Sequence, residues 1–204
     1  MTTALATEDR TQLTPGGDEP TSFNPIESWY PVYYVEDLDK TQPTPFTLLD
    51  RDLVIWWDAP AQEWRAFDDK CPHRLARLSE GRIAEDGLLE CPYHGWAFTG
   101  SGTCDRIPQQ LPDAKAETSR RACVKSLPTT VEQGLLFIYP GTATRAINTP
   151  VPLIPVAISS AGKPSNGWVI FSTFRDLPYD ALTLLENVLD PSHLPYTHHG
   201  SVGR

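Results

Sequence analysis

The sequence predicts a mainly β protein: an all-β domain over residues 26–140, followed by the first strand and helix of an α+β unit. Three observations carry this. Short apolar and aromatic runs alternate with turn signals throughout 26–140. Twenty prolines in 204 residues, about twice the average share, argue against a helical bundle. From residue 166 the pattern changes, with an alternating run at 168–175 and then helical spacing in DALTLLENVL, residues 180–189.

Residues 1–25 are polar and acidic and read as a solvated, disordered tail. They carry neither the apolar core of a secretory signal nor the Arg-rich character of a transit peptide. Residues 26–35, IESWYPVYYV, form a strand that Pro31 restricts to a sheet edge. Runs 46–49 and 53–57 flank Asp50-Arg51-Asp52 as a hairpin, and 64–67 is the next strand. Residues 81–91 form a second hairpin turning at Glu85-Asp86-Gly87. Runs 95–98 and 103–107 form a third across Thr99-Gly100-Ser101-Gly102. Runs 123–127 and 135–139 close the domain, with a turn near Glu132-Gln133-Gly134. Trp56, Trp57, Trp64 and Trp96 are expected to pack the core. Residues 141–165, rich in Pro, Thr and Ala, read as a linker, and 166–204 begins the second unit. The helix over 180–189 ends at Asp190-Pro191 or restarts there, with Asp190 as N-cap.

A net charge of −9 and a pI near 4.9 exclude nucleic acid as a partner. No run of eighteen apolar residues is present to span a membrane.

Chemistry concentrates at 71–94. Cys71-x-His73 and Cys91-x-x-His94 place two thiolates and two imidazoles within one short segment. A Zn site with two Cys and two His usually groups like with like. Here each half supplies one of each, which suits a [2Fe–2S] cluster with one iron on sulfur and the other on nitrogen. Pro72 and Pro92 fix φ directly after each Cys, and Gly95 permits a close backbone approach. Cys104 and Cys123 lie outside this pattern. They are expected to be free thiols, with a disulfide as the alternative.

The stretches CPHR and CPYHGW resemble the motif of the Rieske non-haem iron oxygenases. The resemblance implies a Rieske [2Fe–2S] domain of the iron–sulfur-protein type at 26–140, followed by the start of a helix-grip catalytic domain. It assigns Cys71 and Cys91 to the iron that stays ferric, and His73 and His94 to the iron that changes valence. Trp96 stands where Rieske proteins of cytochrome bc complexes place a hydrogen-bonding Ser, which implies a potential toward the low end of the Rieske range.

The second constellation is Asn187-x-x-Asp190-x-x-His193-x4-His198. On local grounds it is either a metal-binding group or a polar surface segment. The resemblance makes His193 and His198 two ligands of a 2-His-1-carboxylate Fe(II) site. It makes Asp190 the acid that bridges His94 of one subunit to His193 of the next. The family's third ligand lies far downstream, and no carboxylate follows Asp190 here. The expectation is therefore a complete Rieske domain with an incomplete catalytic domain.

WYPVYYVEDLD, LVIWWD and ENVLDPSHLPYTHHG further resemble the branch of that family that includes pheophorbide a oxygenase and chlorophyllide a oxygenase. That branch implies electron transfer from reduced ferredoxin through the cluster to the mononuclear iron. There O2-dependent oxidation of a chlorophyll-derived tetrapyrrole would follow, in a homotrimer when the chain is full-length. Arg74, Arg77 and Arg82, near the cluster in sequence, are expected to dock an acidic ferredoxin. The alternatives are a Rieske ferredoxin-like electron carrier without catalysis and a structural Zn module. The N-terminus suggests an intracellular protein of a cyanobacterium-like photosynthetic cell, cytoplasmic or associated with the thylakoid or inner membrane.

Overall fold

A computed structural model describes residues 23–111, 113–153, 175 and 177–200. Contacts divide the chain into two units. Described residues through 153 belong to the first and those from 175 to the second. Residues 1–22 of the tail, 154–165 of the linker and 168–174 of the strand expected at 168–175 lie outside the described residues.

Among the described residues the first unit has eleven short strands: β1 (Tyr30–Tyr34), β2 (Thr44–Leu48), β3 (Arg51–Asp58), β4 (Glu63–Asp68), β5 (Arg82–Ile83), β6 (Leu89–Glu90), β7 (Ala97–Phe98), β8 (Cys104–Arg106), β9 (Ser126–Leu127), β10 (Thr129–Glu132) and β11 (Leu135–Ile138). They form three antiparallel sheets, ordered β1-β11-β10, β2-β3-β4-β9 and β5-β6-β7-β8. β3 is the central element because its apolar run is buried on both faces. Val54 and Trp56 join one core with Phe67, Cys71, Leu78, Leu89, Cys91, Phe98 and Cys104. Leu53 and Ile55, which alternate with them, join a second core with Val32, Trp64, Ala66, Leu136 and Ile138. Each fully buried side chain of this size contributes about 1.5–3 kcal/mol. The first core reaches directly to the two motif cysteines.

β1 lies at a sheet edge, as Pro31 requires, and its register slips between Pro31 and Tyr33. The β2–β3 turn falls at Leu49-Asp50, with φ of 50° and 58°, not at 50–52. This is a two-residue hairpin of the left-handed kind that matches strand twist. Arg51 opens β3 instead, pairing with Asp68 and donating to the Pro140 carbonyl. The 123–127 run shortens to β9. β10 was absent from the sequence expectation, because Thr129, Thr130 and Glu132 lack the apolar alternation of a strand. It pairs with β11 across Gln133-Gly134. Gly102 lies at φ +84°, and a Cβ there would meet the Val124 carbonyl oxygen at 2.3 Å.

The expected linker contains a helix, α1 (Ala143–Asn148), too short to show periodicity. The Trp29 indole N–H donates to the Thr149 carbonyl, 3.0 Å away, just past its end.

In the second unit α2 (Ala181–Leu189) starts at Asp180, whose carboxylate accepts from the N–H groups of Leu182 and Thr183. The chain restarts at Asp190 with a 3-10 turn, Pro191–His193, and then α3 (Leu194–Thr197). No helix among the described residues is long and apolar enough to cross a membrane.

Candidate metal centre

Two loops, 71–76 and 91–96, carry the motif, and they are built alike. In the first, the Cys71 N–H donates to the Ala76 carbonyl (2.8 Å) and the Leu75 N–H to the Cys71 carbonyl (2.9 Å). In the second, the Cys91 N–H donates to the Trp96 carbonyl (2.8 Å) and the Gly95 N–H to the Cys91 carbonyl (3.1 Å). Leu75 and Gly95 occupy the same place in each loop, with φ of 59° and 69°. Gly95, expected to permit a close backbone approach, also supplies the bend of the second loop. In the first loop a leucine adopts the left-handed conformation, which is strained for a residue with a Cβ.

The bend turns backbone N–H groups inward. Those of His73 and Arg74 donate to the Cys71 sulfur, and those of Tyr93 and His94 to the Cys91 sulfur. The two sulfurs are buried and hydrogen-bond each other. That bond raises the Cys71 pKa, with burial second. It also lowers the Cys91 pKa to about 6, aided by the Tyr93 and His94 N–H groups and opposed by burial. Negative charge is thus favoured on Cys91 while Cys71 keeps the shared proton, which binding of a metal by both sulfurs would displace. Cys104, also buried, is pushed up to about 11 by desolvation. It and Cys123 are free, as expected.

The imidazoles lie toward the outside. The His73 and His94 ring centroids are 4.7 Å apart, with planes at 62°. His73 is exposed and stacks flat on the Trp96 indole, 4.7 Å away at 3°. Tyr93 lies 3.9 Å from His94, and Gln109 donates to the His94 carbonyl. Partial desolvation lowers the His73 pKa, as do the nearby His94 and Arg74 charges.

The loop bases are braced. Asp69, 2% exposed, accepts from the Ser79 N–H (2.7 Å) and the Ser79 hydroxyl (2.6 Å), tying the entry of the first loop to the turn after it. Arg106 of β8 reaches Asp86 and Glu90, and Arg82 pairs with Glu90. Asp69, Ser79, Leu75 and Gln109 were not singled out from the sequence. Asp69, two residues before the first Cys, carried the only available signal, because a carboxylate there needs donors once the loop is buried.

Among the described residues, no group of three or more His, Cys, Asp or Glu is placed to hold a single metal ion. The loops instead present one sulfur pair and one imidazole pair. That donor set fits a two-iron cluster, in which each iron takes one pair.

In the second unit the His193 and His198 ring centroids are 5.5 Å apart. The Asp190 carboxylate accepts from the Ser192 N–H (3.0 Å) and hydroxyl, and these bonds lower its pKa. It is the Asp190 carbonyl, not the carboxylate, that meets His193 Nδ1, at 2.6 Å. A carbonyl only accepts, so Nδ1 carries a proton and Nε2 is the nitrogen left to face a metal.

Residues 28–128 match the Rieske [2Fe–2S] domain family. The chain is 50% identical to pheophorbide a oxygenase of rice over 93% of its own length and 37% of the relative's. It is 43% identical to flavonoid 8-hydroxylase 2 of Ocimum basilicum, over 87% of this chain and 34% of that one. The crystal structure of dicamba monooxygenase bound to dicamba superposes with a TM-score of 0.67 at 29% identity, covering 85% of this chain and 48% of that one. Paired Cys-His loops on three small sheets thus define a Rieske iron–sulfur protein. The chain belongs to the Rieske oxygenase family, in the branch of pheophorbide a oxygenase and chlorophyllide a oxygenase. It spans little more than a third of the length of the curated relatives it matches.

Proposed function

We propose that this chain is the electron-delivering portion of a Rieske-type oxygenase acting on a chlorophyll-derived tetrapyrrole, pheophorbide a or chlorophyllide a. Residues 26–140 form its Rieske domain and 166–204 begin its catalytic domain. Cys71 and Cys91 hold one iron of a [2Fe–2S] cluster, and His73 and His94 hold the other. His193 and His198 supply two ligands to a mononuclear Fe(II). When bound, the cluster supplies one-electron storage and the mononuclear iron supplies O2 activation.

The protein's own contribution is positional. Inward backbone N–H groups stabilise sulfur charge. The exposed imidazole side leaves a short path to a partner. His193, with Nδ1 engaged by the Asp190 carbonyl, offers Nε2 to a metal. Reduced ferredoxin is the donor in this reading. Of the three arginines expected to receive it, Arg77 pairs with Asp52 and Arg82 with Glu90. Arg74, exposed and without an ion pair among the described residues, is the docking cation that remains. A homotrimer would bring Asp190 of one subunit to His94 of the next, once the Asp190 carboxylate is released from Ser192. The rice and basil relatives share this stretch but are named for different substrates. The stretch is therefore read as the machinery they have in common, and the tetrapyrrole assignment follows the higher identity.

The observation that carries the proposal is the pair of matched loops with sulfurs inside and imidazoles outside. Anaerobic reconstitution followed by iron and sulfide analysis and EPR tests it. Two irons and two sulfides per chain, with a Rieske EPR signal lost in Cys91→Ser, are expected. A colourless chain holding stoichiometric Zn would refute it. Reduced ferredoxin should bleach the cluster, and Arg74→Glu should slow that step severalfold.

A further inference from the structure

The two cluster imidazoles are not equivalent. His94 has a neighbour on its own loop, Tyr93, which is 62% exposed. His73 is held from the opposite loop. The Trp96 indole lies parallel to its ring, 3° off at 4.7 Å, while His94 sits across at 62°. Trp96 is itself anchored. Its carbonyl closes the second loop on the Cys91 N–H, and its ring packs against the core that contains Cys71 and Cys91. A residue that only filled core space would have no reason to lie flat against an exposed ring on the neighbouring loop. Flat, offset aromatic stacking fixes ring orientation and excludes water from one face.

We propose that Trp96 is a positioning residue: a clamp across the two loops that sets the orientation of the His73 imidazole and keeps water from its face. It thereby holds the reduction potential of the cluster down. This inference rests on the cluster reading above. The sign follows from charge. Two ferric ions, two sulfides, two thiolates and two neutral imidazoles sum to zero. Reduction adds one electron from the donor and no proton, giving a charge of −1. Water favours the charged form, so opening the His73 face to solvent makes reduction easier.

The test uses the full chain with its cluster assembled, comparing wild type with Trp96→Phe and Trp96→Leu. Two readouts apply: an EPR-monitored potentiometric titration and the nitrogen hyperfine couplings of the two imidazoles. Trp96→Phe, which keeps a flat ring, should stay close to wild type. Trp96→Leu should favour reduction about threefold, roughly 28 mV for one electron, and should alter one of the two nitrogen couplings while leaving the other. If the Leu variant does not retain iron, Trp96→Met, a flexible apolar filler, takes its place with the same expectation. A Leu or Met variant carrying two irons with wild-type potential and couplings overturns the clamp. A wild-type chain that takes up no iron and sulfide overturns the cluster reading itself, so the two failures are distinguishable.

Discussion

Asp69→Ala is the substitution whose effect follows most directly from the geometry. The carboxylate is 2% exposed and accepts two hydrogen bonds, both from Ser79. Alanine leaves a partly buried N–H and a partly buried hydroxyl without an acceptor. Each stranded donor costs about 1–3 kcal/mol, so the loss is about 2–5 kcal/mol, less where water enters the vacated space. For a unit of this size each kcal/mol lowers Tm by roughly 3–5 °C, giving a fall of about 6–25 °C. Ser79→Ala removes only the hydroxyl and should lose about 1 kcal/mol. Asp69→Asn, which keeps one acceptor oxygen, should fall between them. The assay is urea and thermal unfolding of the cluster-loaded chain, with visible absorbance reporting the first loop and circular dichroism the sheets. In Asp69→Ala, absorbance should be lost at lower urea than circular dichroism, because the brace closes the loop that carries Cys71 and His73. Asp69→Ala and Asp69→Asn both within about 0.5 kcal/mol of wild type would refute the reasoning.

Three further outcomes are expected. Gly102→Ala combines a left-handed φ with a Cβ 2.3 Å from the Val124 carbonyl oxygen; it should destabilise by about 2 kcal/mol or more, read as a shifted urea midpoint. Leu75→Gly removes a residue that is 70% exposed at φ 59°, so relief of strain should offset added chain entropy. Stability should hold or rise by up to about 1 kcal/mol in the same assay, whereas Leu75→Pro should abolish cluster uptake. The Asp86 pKa is held down chiefly by the Arg106 hydrogen bond. Stability from a depressed carboxylate is present above its unfolded value, about 3.9, and disappears as pH falls through the folded one. With both side chains partly exposed, Asp86→Asn should cost at most about 1 kcal/mol at pH 7. That difference should shrink in unfolding measurements as pH falls from above about 3.9 through the depressed folded value.

The strands that were legible are those whose side chains are sorted by burial. β3 and β4 declare themselves by aromatic and branched residues, and the 81–91 hairpin by Asp86-Gly87. β10 was hidden because its Thr and Glu residues face a half-solvated surface, where apolar alternation is not needed. The β2–β3 turn starts one residue earlier and ends two earlier than expected, because Leu49 does not advertise a positive φ. The metal-binding residue types were readable because thiolates and imidazoles at that spacing serve few other ends. What spacing could not convey was the relation between the loops: the sulfur–sulfur hydrogen bond, the indole lying across from one loop to the other, and Leu75 doing the work of a glycine. At the second constellation, Asp190 takes the N-cap role that Asp190-Pro191 signalled, accepting from Ser192. Asp followed by Pro and Ser is itself a helix-start signal, and it claims that carboxylate first.

The twin construction of the ligand loops also bears on how the protein acquires its inorganic guest. Each loop closes with hydrogen bonds among its own six residues. Folding ahead of iron insertion is the order this construction predicts, and circular dichroism of the iron-free chain matching that of the loaded chain is the expected result. An oxidant that strips the irons would leave a folded vessel open to refilling, not a denatured chain.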